Sequence, residues 1–274
     1  MAKIICIVNQ KGGVGKTTSS VNISAALAHL GKRVLVVDLD PQGNASSGLG
    51  LKRHEFQDAN VYHLLISEAE IQDVIYSTAF KNLSIIPANA DLVGAEIELV
   101  NEAHREYRLK GAFEKIAQNY DYIFIDCPPS LGLLTLNALT AAHSFLVPLQ
   151  CEYYALEGLS QLLNTAGLVK KSLNPNLKIE GILLTMFDSR NNLSHQVVGE
   201  IRSHFSDKVF DSIIPRNVRL SEAPSHGLPI FEYDQKSVGS RKYMELAREI
   251  ESNQAKEARG VNSQPSQDGQ NVQY

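Results

Sequence analysis

The sequence predicts an α/β fold: a mostly parallel sheet with helices on both faces. Three observations predict it. Short apolar runs (IICIVN at 4–9, RVLVVDLD at 33–40, YIFIDCPPS at 122–130, SFLVPL at 144–149, IEGILLTMF at 179–187) lack polar alternation, so both faces of each strand must be covered. Segments of helical periodicity separate them, and that alternation calls for crossover helices on a parallel sheet. The chain has 274 residues, of which 43% are hydrophobic and 20% charged, enough apolar material for such a core.

Strand 4–9 stops at a glycine-rich segment. Helix 17–30 follows, with Val21, Ala25 and Ala28 at spacings of four and three beside Leu27 and Leu30, and Gly31 closes it. Strand 33–40 ends in carboxylates. Helices are predicted at 60–66, 68–76 and 91–118, with strand LSII (83–86) before the last of them. Strand 122–130 ends in Asp126 and a double proline. Helix 131–142, strand 144–149, helix 156–172 and strand 179–187 continue the alternation. Helix 193–205, strand 209–214, a short helix at 217–223 and helix 239–258 complete the order. No internal repeat is present, and the polar tail 259–274 is expected to be disordered.

The 25 residues between Asp126 and Glu152 carry no formal charge, but Pro128, Pro129, Asn137, His143 and Pro148 break them into a buried helix and strand. No signal peptide precedes strand 4–9, so a reducing, cytoplasmic setting is expected. Cys6, Cys127 and Cys151 are too far apart for a metal knuckle or a disulfide framework. Cys127 is expected to be a core thiol, and His195 and His204 lack ligand partners. The net charge of −4 excludes a uniformly basic nucleic-acid binder. It hides segregation: residues 1–169 are net −5, 170–219 net +3 and 236–259 net +2.

KGGVGKTT, residues 11–18, joins strand 4–9 to helix 17–30. Gly12, Gly13 and Gly15, around Val14, free the loop so that successive N–H groups can turn inward on phosphate oxygens. The loop feeds a helix N-terminus, whose open amides favour an anion. Lys16 is placed for the β- and γ-phosphates and Thr17 for Mg²⁺, with Thr18 next in the turn. The loop departs from G-x-x-x-x-G-K-[ST], because Gln10 or Lys11 takes the first glycine's position. On residues alone, Lys11 is either a second counter-charge or a solvated flank. Asp38, Asp40 and Asp126 stand at or just past strand ends, where open α/β sheets place their ligand crevice. Asp38 and Asp40 share one strand face by period two. Pro215, Arg216 and Asn217 follow a late strand toward the same crevice, and an Asn amide suits a base edge.

Together with VDLDPQGNASSGLG at 37–50, DCPPSLG at 126–132 and IPRNVRLSEAPSHG at 214–227, this loop resembles the ParA/Soj chromosome- and plasmid-partition ATPases. They belong to the deviant Walker A class, which also holds MinD- and CobQ-type proteins. The likeness spans residues 1–258 and implies one P-loop NTPase domain over that range, in the short form without an N-terminal helix-turn-helix. It implies a Mg²⁺-dependent ATPase, weak alone and stimulated by partner and DNA. By the resemblance, Lys11 crosses to the partner's phosphates when two protomers sandwich two ATP molecules. Asp40 orients the attacking water, Asp126 holds Mg²⁺ through its water shell, and Asp38 supports the ion or the loop. Pro215 and Asn217 flank the adenine.

The resemblance further implies an ATP-dependent homodimer that binds double-stranded DNA non-specifically on the nucleoid, with a ParB-like centromere-binding partner stimulating hydrolysis. Arg190 and Arg219 match basic positions used for DNA in Soj-like members. Lys236, Arg241, Lys242 and Arg248 join them on charge alone. The alternative is an ATP-timed regulatory module acting on replication initiation or sporulation through protein contacts. A MinD-like membrane ATPase is set aside, since residues 252–274 form no amphipathic helix, and so is a cluster-binding relative, since no cysteine pair exists.

Overall fold

The computed structural model describes residues 1–152 and 155–260. In chain order its strands and α-helices are β1 (Lys3–Ile7), α1 (Lys16–His29), β2 (Val34–Asp38), α2 (Asn44–Gly48), α3 (Val61–Leu65), β3 (Tyr76–Ser77), β4 (Leu83–Ile86), α4 (Leu92–Glu98), α5 (Arg108–Glu114), β5 (Tyr122–Asp126), α6 (Leu133–Ala141), β6 (Ser144–Gln150), α7 (Ala155–Ser172), β7 (Lys178–Thr185), α8 (Asn192–Phe205), α9 (Val218–Glu222), α10 (Ile230–Tyr233) and α11 (Val238–Gly260). The seven strands form one sheet in the order β3-β4-β2-β5-β1-β6-β7, parallel throughout except for β3 at the edge.

Alternate residues of each strand feed opposite apolar layers. Ile4, Cys6, Leu35, Val37, Ile123 and Ile125 pack with Leu64, Leu92, Leu109, Leu134, Leu159 and Val197 from α3 to α8. Ile5, Ile7, Val34, Val36 and Phe124 pack with Val21 and Leu27 of α1, Leu220 of α9, Ile230 of α10, and Tyr243 and Leu246 of α11. A strand covered on both faces has no solvent side, which is why its residues read as an unbroken apolar run. Register then sets the site. Ile7 pairs with Asp126, and Asp126 with Asp38, so β1, β5 and β2 end side by side at one level.

Three predicted elements differ. Residues 68–76 form only a 3-10 turn at Ile71–Val74, because Tyr76 and Ser77 pair antiparallel with β4 instead of continuing a helix. The predicted helix 91–118 breaks into α4, two 3-10 turns and α5, with His104 in a left-handed conformation (φ 57°) between them. Residues 209–214 do not form a strand. The Phe210 and Ile214 amides donate to Ile182 and Leu184 of β7, but the Asp211 and Ser212 amides turn to the Glu249 carboxylate of α11 (2.7 and 3.0 Å), leaving isolated bridges. The Phe210 ring lies where a side chain at residue 181 would stand, and Gly181 follows the register shift of β6 on β7. β2 also ends at Asp38, so Asp40 stands on the loop beyond it. At the far end α11 runs to Gly260, past the expected boundary at 258, and the remainder of the expected tail lies outside the described residues.

Candidate nucleotide site

The glycine-rich loop leaves β1 and winds into α1 through Gly13 (φ 75°) and Gly15 (φ 91°), both left-handed. Gly15 is the N-cap of α1 and offers no side chain to its first turn, so those amides stay open to an anion. Asn9 anchors the loop: its Nδ2 donates to the Pro148 carbonyl of β6 (2.7 Å) and its Oδ1 accepts from the Lys11 amide (3.0 Å). From the far side, Thr185 Oγ1 at the end of β7 donates to the Val14 carbonyl (2.9 Å). Gly12, Gly13, Gly15, Lys16, Thr17 and Thr18 line a cavity of about 610 Å³, shared with Asp40, Pro41, Val93 and the 128–130 loop.

The two lysines are differently placed. Lys16 is 7% exposed and its Nζ donates back to the Lys11 carbonyl (3.0 Å). Burial holds its pKa below the ordinary lysine value, against the pull of Asp126 and Asp40. Lys11 has a half-exposed side chain that pairs with Glu152 of the same protomer and does not line the cavity.

Asp38 and Asp126 sit buried on adjacent strands beneath the loop. Burial pushes both carboxyls above the ordinary carboxylate range. The neighbouring charge raises Asp38 further, while the Thr17 and Ser20 hydroxyls and Lys16 pull Asp126 down. Asp38 Oδ2 accepts from the Ser46 amide and hydroxyl (2.8 and 2.7 Å), and Oδ1 from the Asp40 amide (3.2 Å). These bonds tie Asp38 to the 40–46 loop. Asp126 Oδ1 accepts from Ser20 Oγ (2.8 Å), whereas its Oδ2 is buried with no partner. An unpartnered carboxylate oxygen beneath Thr17 fits the water shell of a phosphate-bound Mg²⁺. Asp40 lines the cavity and its Oδ1 accepts from the Gln42 amide (2.9 Å).

A second cavity of about 290 Å³ adjoins the first, sharing Gly15, Thr18 and Met186. Pro215 and Asn217 line it, with Thr185, Ile214, Val218, Leu220 and Tyr243. Asn217 Oδ1 caps α9 by accepting from the Arg219 amide (2.9 Å), so its NH₂ group is the part left for a ligand. The sequence reading missed Met186, held at φ 51° between the cavities, and Tyr243, whose hydroxyl meets Ser19 Oγ (3.1 Å). Neither has a local motif. Each reaches the site through tertiary packing.

None of the predicted basic residues lines either cavity. Arg190 is 87% exposed and forms a forked pair with Asp188, holding that carboxyl down at about 2. Arg219 pairs with Glu222 (2.8 Å) and Asp234 (3.5 Å). The Phe187–Pro215 bridge brings their two loops together. Lys242 pairs with Glu245, and Arg241 donates to the Lys236 carbonyl. Lys236 and Arg248 form no ion pair among the described residues. Cys127 is buried, with its thiol pushed up by burial. Among the described residues no group of three or more His, Cys, Asp or Glu could hold a metal, and no helix is long and apolar enough to cross a membrane.

A parallel sheet with a glycine-rich loop, an uncapped helix N-terminus, a buried lysine and acids at the neighbouring strand ends defines a P-loop nucleotide-binding protein. Residues 2–179 match the family described as an AAA domain. The sporulation initiation inhibitor protein Soj of Bacillus subtilis is 61% identical over 253 residues, covering 92% of this chain and 100% of that one. The chromosome partitioning protein ParA of Myxococcus xanthus is 59% identical over 250 residues, covering 91% and 88%. Among solved structures, cobyrinic acid a,c-diamide synthase of Mycobacterium smegmatis with bound ADP and magnesium superposes at TM-score 0.81 with 38% identity, covering 98% of this chain and 100% of that one. The septum site-determining protein MinD of Pyrococcus horikoshii, complexed with Mg-ADP, matches at 0.75 and 27%, covering 93% and 98%. The chain belongs to the ParA/Soj family of DNA-partition ATPases, and it is a Mg²⁺-dependent ATPase.

Proposed function

We propose that the working form is an ATP-bound sandwich dimer that holds double-stranded DNA non-specifically on the nucleoid, in the cytoplasm, and is released when a ParB-like partner stimulates hydrolysis. The observation that carries this reading is the division between the two lysines: Lys16 buried under the loop, Lys11 half-exposed beside it and paired, among the described residues, with Glu152. One cation serves its own phosphates, and the other is free to serve a partner's. In this assignment Gly12, Gly13, Val14, Gly15 and Thr18 form the phosphate cradle, and Pro215 and Asn217 flank the base. Thr17 and Asp126 hold Mg²⁺, Asp126 through water, while Asp38 keeps loop 40–46 in place. Bound there, Mg²⁺ neutralises charge on the β- and γ-phosphates, and the remaining work is positioning.

Asp40 is given the attacking water. Asp40→Ala is expected to bind ATP within a few-fold of the parent, while turnover falls roughly 100-fold, within the ordinary range for removing a general base. Equilibrium binding of ATP alongside phosphate release checks both halves, and parental hydrolysis by the variant overturns the assignment.

The DNA half of the proposal is tested at Arg190 and Arg219. Each is already paired with carboxylates through two of its guanidinium nitrogens, so a DNA phosphate either takes the remaining N–H donors or competes with Asp188, or with Glu222 and Asp234. The Arg190→Glu, Arg219→Glu variant is expected to dimerise with ATP yet bind unrelated duplexes equally weakly. Its log–log salt slope should fall by roughly 0.9 for each DNA phosphate that is no longer neutralised. A salt series at saturating ATP measures this. Unchanged affinity and slope would move the DNA surface to Lys236 and the α11 residues Arg241, Lys242 and Arg248. A parent that binds no DNA as an ATP dimer would favour the regulatory-module alternative.

A further inference from the structure

A separate cavity of about 490 Å³ opens at the other end of the sheet, where the strands begin. Lys3 of β1, Ser144 of β6 and Lys178 of β7 line it, with Lys110 of α5, Thr140 of α6 and His143 from the turn between α6 and β6. The glycine-rich loop leaves the opposite end of β1, and no residue is shared with either nucleotide cavity. The Lys3 side chain is 10% exposed, and Glu180 (2.7 Å) and Glu257 (3.4 Å) hold its ammonium. Glu180 is fully engaged, since its other oxygen accepts from Ser144 Oγ (2.6 Å). Lys110 and Lys178 are exposed and have no carboxylate partner among the described residues; Lys110 lies over the Tyr107 ring. His143 is fixed by Ile4: its amide donates to the Ile4 carbonyl (2.9 Å), and its Nδ1 accepts from the Ile4 amide (3.0 Å). A ring whose Nδ1 accepts carries its proton on Nε2, so it offers an N–H donor. Burial, Lys3 and Lys110 hold the His143 pKa below the ordinary histidine value, which keeps the ring in that neutral form. The Thr140 hydroxyl is buried without a hydrogen-bond partner.

We propose that this cavity binds a small phosphate-bearing anion, held by Lys110, Lys178 and the Nε2–H of His143. The inference is independent of the dimer and DNA readings above. Charge argues for an anion. Three lysines meet two carboxylates here, in a chain whose net charge is −4, and both carboxylates are turned to Lys3. The donor set argues for phosphate. No arginine lines the cavity, so the planar fork that matches a carboxylate is missing. Ammonium groups act as point charges and can approach a tetrahedral phosphate from several sides. A doubly charged phosphate also answers both lysines that lack a carboxylate. The cavity is larger than a bare phosphate requires, and Ala141 and Ala142 give it an apolar wall for the body of an ester.

The test uses the full chain saturated with Mg²⁺-ADP, so that added phosphate cannot enter the glycine-rich loop. Inorganic phosphate and glycerol 3-phosphate are titrated in separately, and the imidazole signals of His143 are followed by NMR, assigned with His143→Gln. A saturable shift is expected, with a dissociation constant of about 1 mM or below, and the tighter probe tells free phosphate from an ester. Lys110→Gln combined with Lys178→Gln changes two exposed side chains. It should weaken binding at least about 10-fold, with the melting temperature of the anion-free protein and its affinity for Mg²⁺-ATP unchanged. A shift that sodium chloride reproduces at equal ionic strength would be screening alone and overturns the proposal. Malonate binding as tightly as phosphate overturns the choice of ligand, and parental affinity in the double variant overturns the site.

Discussion

Lys16→Ala is expected to move the ATP-dependent rise in melting temperature to about 100-fold higher ATP while leaving the nucleotide-free protein as stable as the parent, or slightly more so. The folded chain keeps this ammonium 7% exposed with its pKa lowered by burial, so the nucleotide-free state carries a desolvated cation whose one hydrogen bond is to the Lys11 carbonyl. The sign follows directly: a lysine pKa below its unfolded value means that folding disfavours the charged form, and truncation relieves that cost. With ATP present, the same ammonium makes charge-assisted bonds to phosphate oxygens. Their loss should weaken nucleotide affinity about 100-fold, near 2.7 kcal/mol. Thermal denaturation across an ATP–Mg²⁺ series separates the two terms, because ligand stabilisation grows as the logarithm of concentration over dissociation constant. A parental ATP shift in the variant would remove Lys16 from the phosphate site, and a large loss of stability without nucleotide would make it a structural residue.

The loop around Lys16 was legible in the sequence because all its requirements are local. Two glycines must take positive φ, the next residues must open a helix, and a strand must end just before. Gly13, Gly15, α1 and β1 meet those conditions. The strands were legible for a similar reason, burial on both faces leaving no room for polar residues. What failed depended on distant partners. Tyr76 and Ser77 leave a helical pattern because β4 offers a free edge. Asp211 and Ser212 leave a strand pattern because Glu249, 38 and 37 residues away, takes their amides. No window of sequence contains both sides of those exchanges.

The acids show the same boundary within the site. Three aspartates at or just past strand ends could be read off, but their hydrogen-bond partners could not, since these include Ser46 and Ser20. Ser46 takes up one Asp38 oxygen with its amide and hydroxyl, and Ser20 takes one oxygen of Asp126 and leaves the other bare. The Asn217 amide can in principle both donate and accept. Its carbonyl is spent on capping α9, so the donor half is what remains for a ligand.

Lys11→Ala is expected to leave the fold and single-protomer ATP binding nearly intact, to keep the protein monomeric with ATP and Mg²⁺, and to reduce hydrolysis to a residual level. Within one protomer Lys11 pairs with Glu152, but both side chains are solvent-accessible, and such a pair contributes only about 0–1 kcal/mol. Its removal therefore should not move the melting temperature. In a dimer, the same cation set against phosphates and shielded from water loses that screening, and its truncation should weaken assembly at least about 100-fold. Glu152→Gln supplies the control. It keeps the cation and removes its partner within the protomer, so the ATP dimer should form as readily as in the parent or more so. The double variant should behave like Lys11→Ala alone, because the lysine acts on the other protomer and not through Glu152. Light scattering with ATP and Mg²⁺ on the parent and the three variants resolves the cases. A normal ATP dimer from Lys11→Ala would sink the sandwich reading. Failure of both single variants to dimerise would instead make the Lys11–Glu152 pair itself the element that assembly requires.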